Sequence, residues 1–523
     1  MSRNPTQHDL YDIVFACYMG ILASSTASSS SAAKPIAIVI GAGVSGLSCA
    51  SQLVKAGHAV LVLEARDRIG GRTHTYTDDR IGAPMDLGAS FIHGIAGNPL
   101  HALAKRDNLA LYRPDNPQQQ KSKSRIFGPD GPSIADELAA RLGFNSHRTI
   151  FDTSKSNAQE QQQAYPAVTD SLATYVLNEK ESTLFAGLET ETERGYAISM
   201  SESWDGWTGA ALKDTNLRYW QSDVTYGGPD ATIINGYQGI YKPLAETVYQ
   251  SKASQIRLNE EVTSIKLSED GDSVEVETKS SKTINGDEPS TNTFSSYIAP
   301  YCVCTLPLGV LQERPPAFSP ALPKRRLDAI ARIGMGVLNR LIVTYPTCFW
   351  PPEQSFITFL PSEASAAFMP VLRKRAMVAQ NYVPITGKNT LHFFFGATSG
   401  SQLEKMTDEQ AGEGVHSVLR HHFAGQTKDF PAQPDSVIVT RWKQDIYSCG
   451  SYSYIRPAKG GEADLPTPYD FAELSRPQWD HRLFFAGEAT DPHHYATVHG
   501  PLITGRREAQ RILDQLEAKA LET

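Results

Sequence analysis

Apolar runs broken by glycine and polar positions organise the start of the chain. Residues 36–40 are continuously apolar and end on glycine, the pattern of a strand buried on both faces. Residues 44–56 follow as a helix that Gly57 is placed to close, and residues 59–63 form a second buried strand. Strand, helix and strand make one βαβ unit, with ordered structure expected from Pro35 onward. Farther on, residues 256–276 alternate in strand fashion, and 301–305 read as a strand stopped by Pro307. The chain finishes in a helix over 500–521, with Leu502, Ile503, Ala509, Ile512, Leu513 and Leu516 at helical spacing. The polar stretches 118–124, 159–163 and 279–293 are expected to be loops or exposed surface. No internal repeat interrupts this order.

A chain of 523 residues exceeds one compact core, so two domains or one interleaved pair is expected. Its net charge of -8 removes nucleic-acid binding from consideration, since phosphate neutralisation needs surplus Lys and Arg. The six cysteines show neither zinc spacing nor a disulfide framework, so no metal is expected. Cys302 and Cys304 lie within a strand-like run and read as buried, inert thiols. No run is long enough to span a bilayer stably. Residues 13–23 are apolar and 24–33 small and polar, the outline of a signal peptide. Asp9, Asp12 and a lone Arg3 precede them, and no Asn-x-Ser/Thr acceptor with a non-proline middle residue occurs. Residues 1–34 are therefore read as a leader, disordered or signal-like, in a cytoplasmic protein, with secretion as the alternative.

Gly41-Ala42-Gly43-Val44-Ser45-Gly46 places G-x-G-x-x-G between the first strand and the helix. There the glycines let backbone N–H groups approach a pyrophosphate at a helix N-terminus. Glu64 closes the second strand, where a carboxylate can grip ribose hydroxyls. The run then continues Ala65-Arg66-Asp67-Arg68-Ile69-Gly70-Gly71-Arg72, adding a second glycine pair and an arginine able to neutralise phosphate.

This extension resembles the flavin-containing amine oxidase superfamily. Asp86-Leu87-Gly88-Ala89-Ser90-Phe91-Ile92-His93-Gly94 is similar to its flavin-contacting loop, in a form closest to the polyamine oxidase branch. Arg441-Trp442 with Gly450-Ser451-Tyr452-Ser453-Tyr454 resembles the late substrate-cavity segment. Arg482-Leu483-Phe484-Phe485-Ala486-Gly487-Glu488 with Thr497-Val498-His499-Gly500 resembles the closing flavin motif. The resemblance, over about residues 35–515, implies an α/β fold in which a Rossmann-like FAD-binding domain is interleaved with an α+β substrate-binding domain. The FAD-binding domain is expected from 35–99, 232–312 and 436–523, and the substrate domain from 100–231 and 313–435.

The resemblance also implies roles. Gly41, Gly43, Ser45 and Gly46 hold the pyrophosphate, Glu64 the adenosine ribose and Arg72 the phosphates, with Arg66 and Gly88 beside them. Ala89 and Ser90 lie against the isoalloxazine, Val262 meets the adenine, and Trp442 and Gly487 complete the cofactor set. Glu488 faces the ribityl-phosphate region, while Thr497 and Val498 present backbone N–H groups to flavin carbonyls. Ser451 stands where some monoamine oxidases attach flavin through cysteine, so noncovalent FAD is expected. Tyr452 is expected to wall the cavity, His93 to lie near it, and Thr497 to stand where monoamine oxidases carry a second tyrosine, leaving a roomier entrance. Arg340 stands where the family places a lysine that holds water against flavin N5; arginine cannot act as a base but can orient water or peroxide.

The reaction implied is hydride transfer from an aliphatic amine, a polyamine or long-chain amine, to flavin N5. Imine or aldehyde, amine or ammonia, and hydrogen peroxide would result, with oxygen as acceptor. A monoamine-oxidase-type enzyme for a bulky primary amine and a catalytically weak FAD-binding protein are the alternatives. An L-amino-acid oxidase would need a carboxylate-binding arginine where Ser90-Phe91 stands, and no inserted tower suggests a histone demethylase. Glu202, Asp205, Asp214 and Asp223 are acids that could meet a distal ammonium. Monomer and homodimer both remain open.

Overall fold

A computed structural model describes residues 34–78, 80–113, 125–157, 166–280 and 293–522. The leader up to residue 33, the polar stretches 118–124 and 159–163, and most of 279–293 lie outside the described residues.

The first strand, Ala37–Ile40, is central in a five-stranded parallel sheet ordered Leu483–Phe485, Tyr301–Cys304, Ala37–Ile40, Val60–Leu63, Gln255–Arg257. Its continuous apolar runs have a physical cause, for both faces are covered. Ala37, Val39, Val60, Val62, Tyr301, Val303 and Phe484 point into one core. Ile38, Ile40, Leu61, Leu63, Cys302, Cys304 and Phe485 point into another. The two thiols are thus buried as expected, and burial pushes Cys304 up to about 11. The first core also takes in the helix Val44–Lys55 and the C-terminal helix His499–Glu522, which pack together. Gly57, at φ +90°, ends the first helix in the left-handed conformation that glycine adopts without strain.

The second core lies under a four-stranded sheet ordered Phe294–Ala299, Val274–Ser280, Glu260–Leu267, Ala317–Ser319. The alternating stretch 256–276 therefore resolves into one short parallel strand and most of an antiparallel hairpin.

A six-stranded sheet runs Ser436–Val439, Leu338–Thr344, Thr390–Gly396, Met377–Asn381, Phe356–Phe359, Arg125–Phe127. It is antiparallel except at its last pair. Strand alternation sorts its side chains. Leu341, Val343, Phe393 and Phe395 enter an aromatic core covered by the helix Asp408–Phe423. Arg340 and Phe394, paired in register, fall on the opposite face and line the site.

Candidate active site

The loop after the first strand opens onto a cavity of about 970 Å³. Gly41 has φ +100°, and a Cβ there would press on Thr305. Gly43 has open space where a Cβ would stand, so its backbone faces the cavity without obstruction. Gly46 is the one expected cofactor residue that does not line the cavity. A Cβ there would collide with the Gly41 carbonyl, so this glycine lets the helix close on the loop. Ser45 lines the cavity, is 5% exposed, and its Oγ has no hydrogen-bond partner. A buried hydroxyl without a partner costs free energy unless a ligand satisfies it.

Glu64 is held rigidly beside this loop. Its two oxygens accept from the backbone N–H groups of Ala42 at 2.7 Å and Arg66 at 2.9 Å. Each carboxylate oxygen keeps a further lone pair for a ribose hydroxyl. The Arg66 guanidinium donates to both oxygens of Asp445 at 2.7 and 2.8 Å and to Ser448 Oγ, which fixes it along the wall. Arg72 donates to Glu488 Oε1 at 3.0 Å and to the Ser451 carbonyl at 2.9 Å. Glu488 is 4% exposed, and its other oxygen accepts from Ser453 and from the Ala496 N–H. Gly487 at φ +141° turns the chain into this carboxylate. Val262 lines the cavity beside a register shift in its strand pairing.

The middle of the cavity is built on the loop Gly88-Ala89-Ser90. A Cβ on Gly88 would collide with the Arg72 carbonyl, and Trp442 packs beside it while donating to Leu87 O at 3.3 Å. Ser90 Oγ accepts from Arg340 Nη2 at 2.6 Å, and Arg340 Nη1 reaches the Asp86 carbonyl at 3.0 Å. Arg340 is 4% exposed, lies under the Phe394 ring at 5.0 Å, and makes no carboxylate ion pair among the described residues. Its neighbours respond to that charge. Burial, with Arg340 beside it, drives His392 well below its ordinary value, so the imidazole stays neutral. Asp86 is pushed up to about 6 by burial, against the pull of Thr75, the Tyr237 N–H and Arg340.

Tyr452 lines the cavity, and its hydroxyl donates to the Trp207 carbonyl at 2.7 Å, which locks the ring. Burial raises its phenol, so it stands as a neutral wall. The His93 ring packs against Trp207 at 4.7 Å, and Nδ1 meets Asp230 Oδ2 at 2.9 Å. Burial alone would raise Asp230, but His93 and the Gly94 N–H bring it below its usual value. Thr497 does line the cavity, yet its hydroxyl donates to His494 O and accepts from the Gly500 N–H, starting the C-terminal helix. The backbone N–H groups of Thr497 and Val498 have no protein acceptor among the described residues.

Asp230, Trp207 and Phe394 were not singled out from the sequence. Asp230 joins His93 across 137 positions and Tyr452 meets Trp207 across 245, so no local pattern announces either pair. The cavity lining contains no cysteine among the described residues. Ser451, whose Oγ bridges the backbone N–H and carbonyl of Leu338, cannot supply a thioether. The unsatisfied Ser45, the open face of Gly43 and the unused N–H groups of Thr497 and Val498 are what a bound dinucleotide would satisfy.

Comparison with known proteins identifies the family. Residues 44–513 match the family described as flavin containing amine oxidoreductase. Polyamine oxidase 2 of Arabidopsis thaliana is 29% identical over 483 residues, covering 91% of this chain and 88% of that protein. Polyamine oxidase 4 of Oryza sativa subsp. japonica is 29% identical over 507 residues, covering 94% and 93%. Lysine-specific histone demethylase 1 homolog 3 of Oryza sativa subsp. indica is also 29% identical, over 493 residues, but the chain spans only 55% of its length. The chain belongs to the flavin-containing amine oxidoreductases, and its cofactor is FAD bound without a covalent link.

Proposed function

We propose that this protein oxidises an aliphatic amine, a polyamine or long-chain amine, with oxygen as the final acceptor. The observation that carries this reading is the continuity of the cavity, in which the glycine loop and an aromatic chamber share one space. Gly41, Gly43, Ser45, Glu64, Arg72, Glu488 and the backbone of Thr497 and Val498 would hold FAD on a Rossmann-like half formed by 35–99, 232–312 and 436–523. Residues 100–231 and 313–435 would form the substrate half. Bound FAD supplies the acceptor for a hydride from the amine α-carbon and the route by which electrons reach oxygen.

The protein's part is position and electrostatics. Tyr452 walls the chamber with an aromatic ring that its hydrogen bond keeps from turning. Arg340 braces Ser90 and the backbone at Asp86, holding the loop where the flavin ring is expected. A permanent positive charge there disfavours an ammonium, so the reacting nitrogen is held in its neutral form. No side chain then has to remove a proton from it. His93, oriented by Asp230, borders the chamber and can order water for hydrolysis of the product imine.

The aromatic lining that Phe151, Trp207 and Trp220 add to the cavity favours a second reading, a bulky primary amine. Product analysis separates the two and tests the first. Incubation with spermidine should yield aldehyde and hydrogen peroxide in equal amounts with an amine co-product. Release of ammonia from an aryl-alkyl amine, with spermidine inert, would replace this reading by the second.

A further inference from the structure

Arg326 carries a buried positive charge that the large cavity does not use. It sits on the helix Lys324–Arg332, is 0% exposed, and does not line that cavity. Its guanidinium lies over the Phe485 ring, 4.1 Å from the centroid. Nη2 donates to the Glu473 carbonyl at 2.9 Å and to the Arg476 carbonyl. Nε, with one N–H, and Nη1, with two, have no partner among the described residues. Burial pushes the group down to about 10, while Glu473, Cys304 and Glu508 pull it back up, so it stays charged at neutral pH.

The neighbouring carboxylates are already claimed. Glu473 pairs with Arg325 at 2.5 Å and Arg476 at 3.2 Å, and Glu508 with Arg507 at 2.6 Å and Arg511 at 3.1 Å. Each therefore serves two arginines before Arg326 is counted, and positive charge is in excess. Arg326 borders a second cavity of about 10 Å³, room for a single water-sized occupant. Leu308, Leu311, Ile330 and Leu474 give this space a largely apolar wall. Glu488 also borders it, but its oxygens accept from Arg72, Ser453 and the Ala496 N–H. A water placed there must find acceptors for its own two hydrogens, whereas an anion offers acceptors alone and offsets the buried charge.

We propose that the cavity between Arg326 and the turn 487–490 binds a small monovalent anion of the size of chloride, which braces the back of the wall that faces FAD. Arg72, Leu306, Gly487 and Glu488 line both cavities, so one thin layer of chain separates the anion from the cofactor. Loss of the ion should loosen FAD together with the fold. The site does not depend on which amine is oxidised.

An exchange of anions tests it. Thermal unfolding of the FAD-loaded protein is followed by flavin fluorescence and circular dichroism while chloride or bromide replaces gluconate, an anion too large for the cavity, at one ionic strength. The wild type should unfold about 1 °C later for each tenfold rise in halide above saturation. Arg326→Gln, which removes the charge, should unfold at the same temperature in all three salts. A wild type indifferent to halide overturns the site, as does a halide effect that persists undiminished in Arg326→Gln. Should that variant fail to fold, wild-type crystals soaked in bromide decide the matter. Anomalous scattering within hydrogen-bond reach of Arg326 Nε or Nη1 supports the site, and a water there without bromide overturns it.

Discussion

Asp86 and Arg340 share a buried environment in which the charge of one shifts the titration of the other. Asp86 is 3% exposed, accepts from Thr75 Oγ1 at 2.6 Å and from the Tyr237 N–H, and is pushed up to about 6. A carboxyl raised in the folded state favours folding while protonated. Its contribution is therefore full below the ordinary value of 3.8 and is lost as pH rises through about 6. The shift amounts to about 3 kcal/mol. Asp86→Asn, which keeps an acceptor for Thr75, should flatten the decline in stability between pH 4 and 7. Urea unfolding across that range measures it, and parallel wild-type and variant curves would contradict the assignment. Arg340→Met removes the donors to Ser90 and the Asp86 carbonyl and should move the Asp86 titration upward, since Arg340 now pulls it down.

Elements meet at this site through glycines. A Cβ on Gly505 in the C-terminal helix would collide with the Ser45 carbonyl of the first helix. Gly505→Val should therefore cost about 1–3 kcal/mol or more and displace Ser45 from the cavity. Release of flavin fluorescence on heating should begin earlier in this variant. Gly195, in the helix Glu191–Glu202, has open space around a built Cβ. Gly195→Ala should instead add about 0.5–1 kcal/mol and leave the flavin release relative to unfolding unchanged.

The same contrast explains what was legible. The parallel strands were readable because both faces are buried, which forces unbroken apolar runs such as 36–40. The glycine loop and Glu64 were readable because their spacing is local. The strand Leu338–Thr344 was met only as a motif around Arg340; that its neighbours come from 390–396 and 436–439 has no local signature. Thr497 is expected from the sequence to leave the entrance roomier opposite Tyr452, and it lines the cavity; that its hydroxyl also starts the C-terminal helix is a role that only the positions of His494 and Gly500 reveal.

At the scale of the molecule, the described residues contain no helix long and apolar enough to cross a membrane and no cluster of His, Cys, Asp and Glu fit to hold a metal. The family match gives the protein a flavin cofactor, and the cavity that would hold it is walled by this chain's own side chains. Because no cysteine lines that cavity among the described residues, acid precipitation should leave the yellow colour in the supernatant and none in the pellet. The most direct test of the whole account is anaerobic. The purified yellow protein is mixed separately with spermine, spermidine, a long-chain primary amine and an aryl-alkyl amine while the visible flavin band is followed. The account predicts bleaching by the polyamines, and recovery of colour with hydrogen peroxide when air is admitted. A band that none of the four amines bleaches would contradict it, leaving a flavin-binding protein that does not oxidise amines.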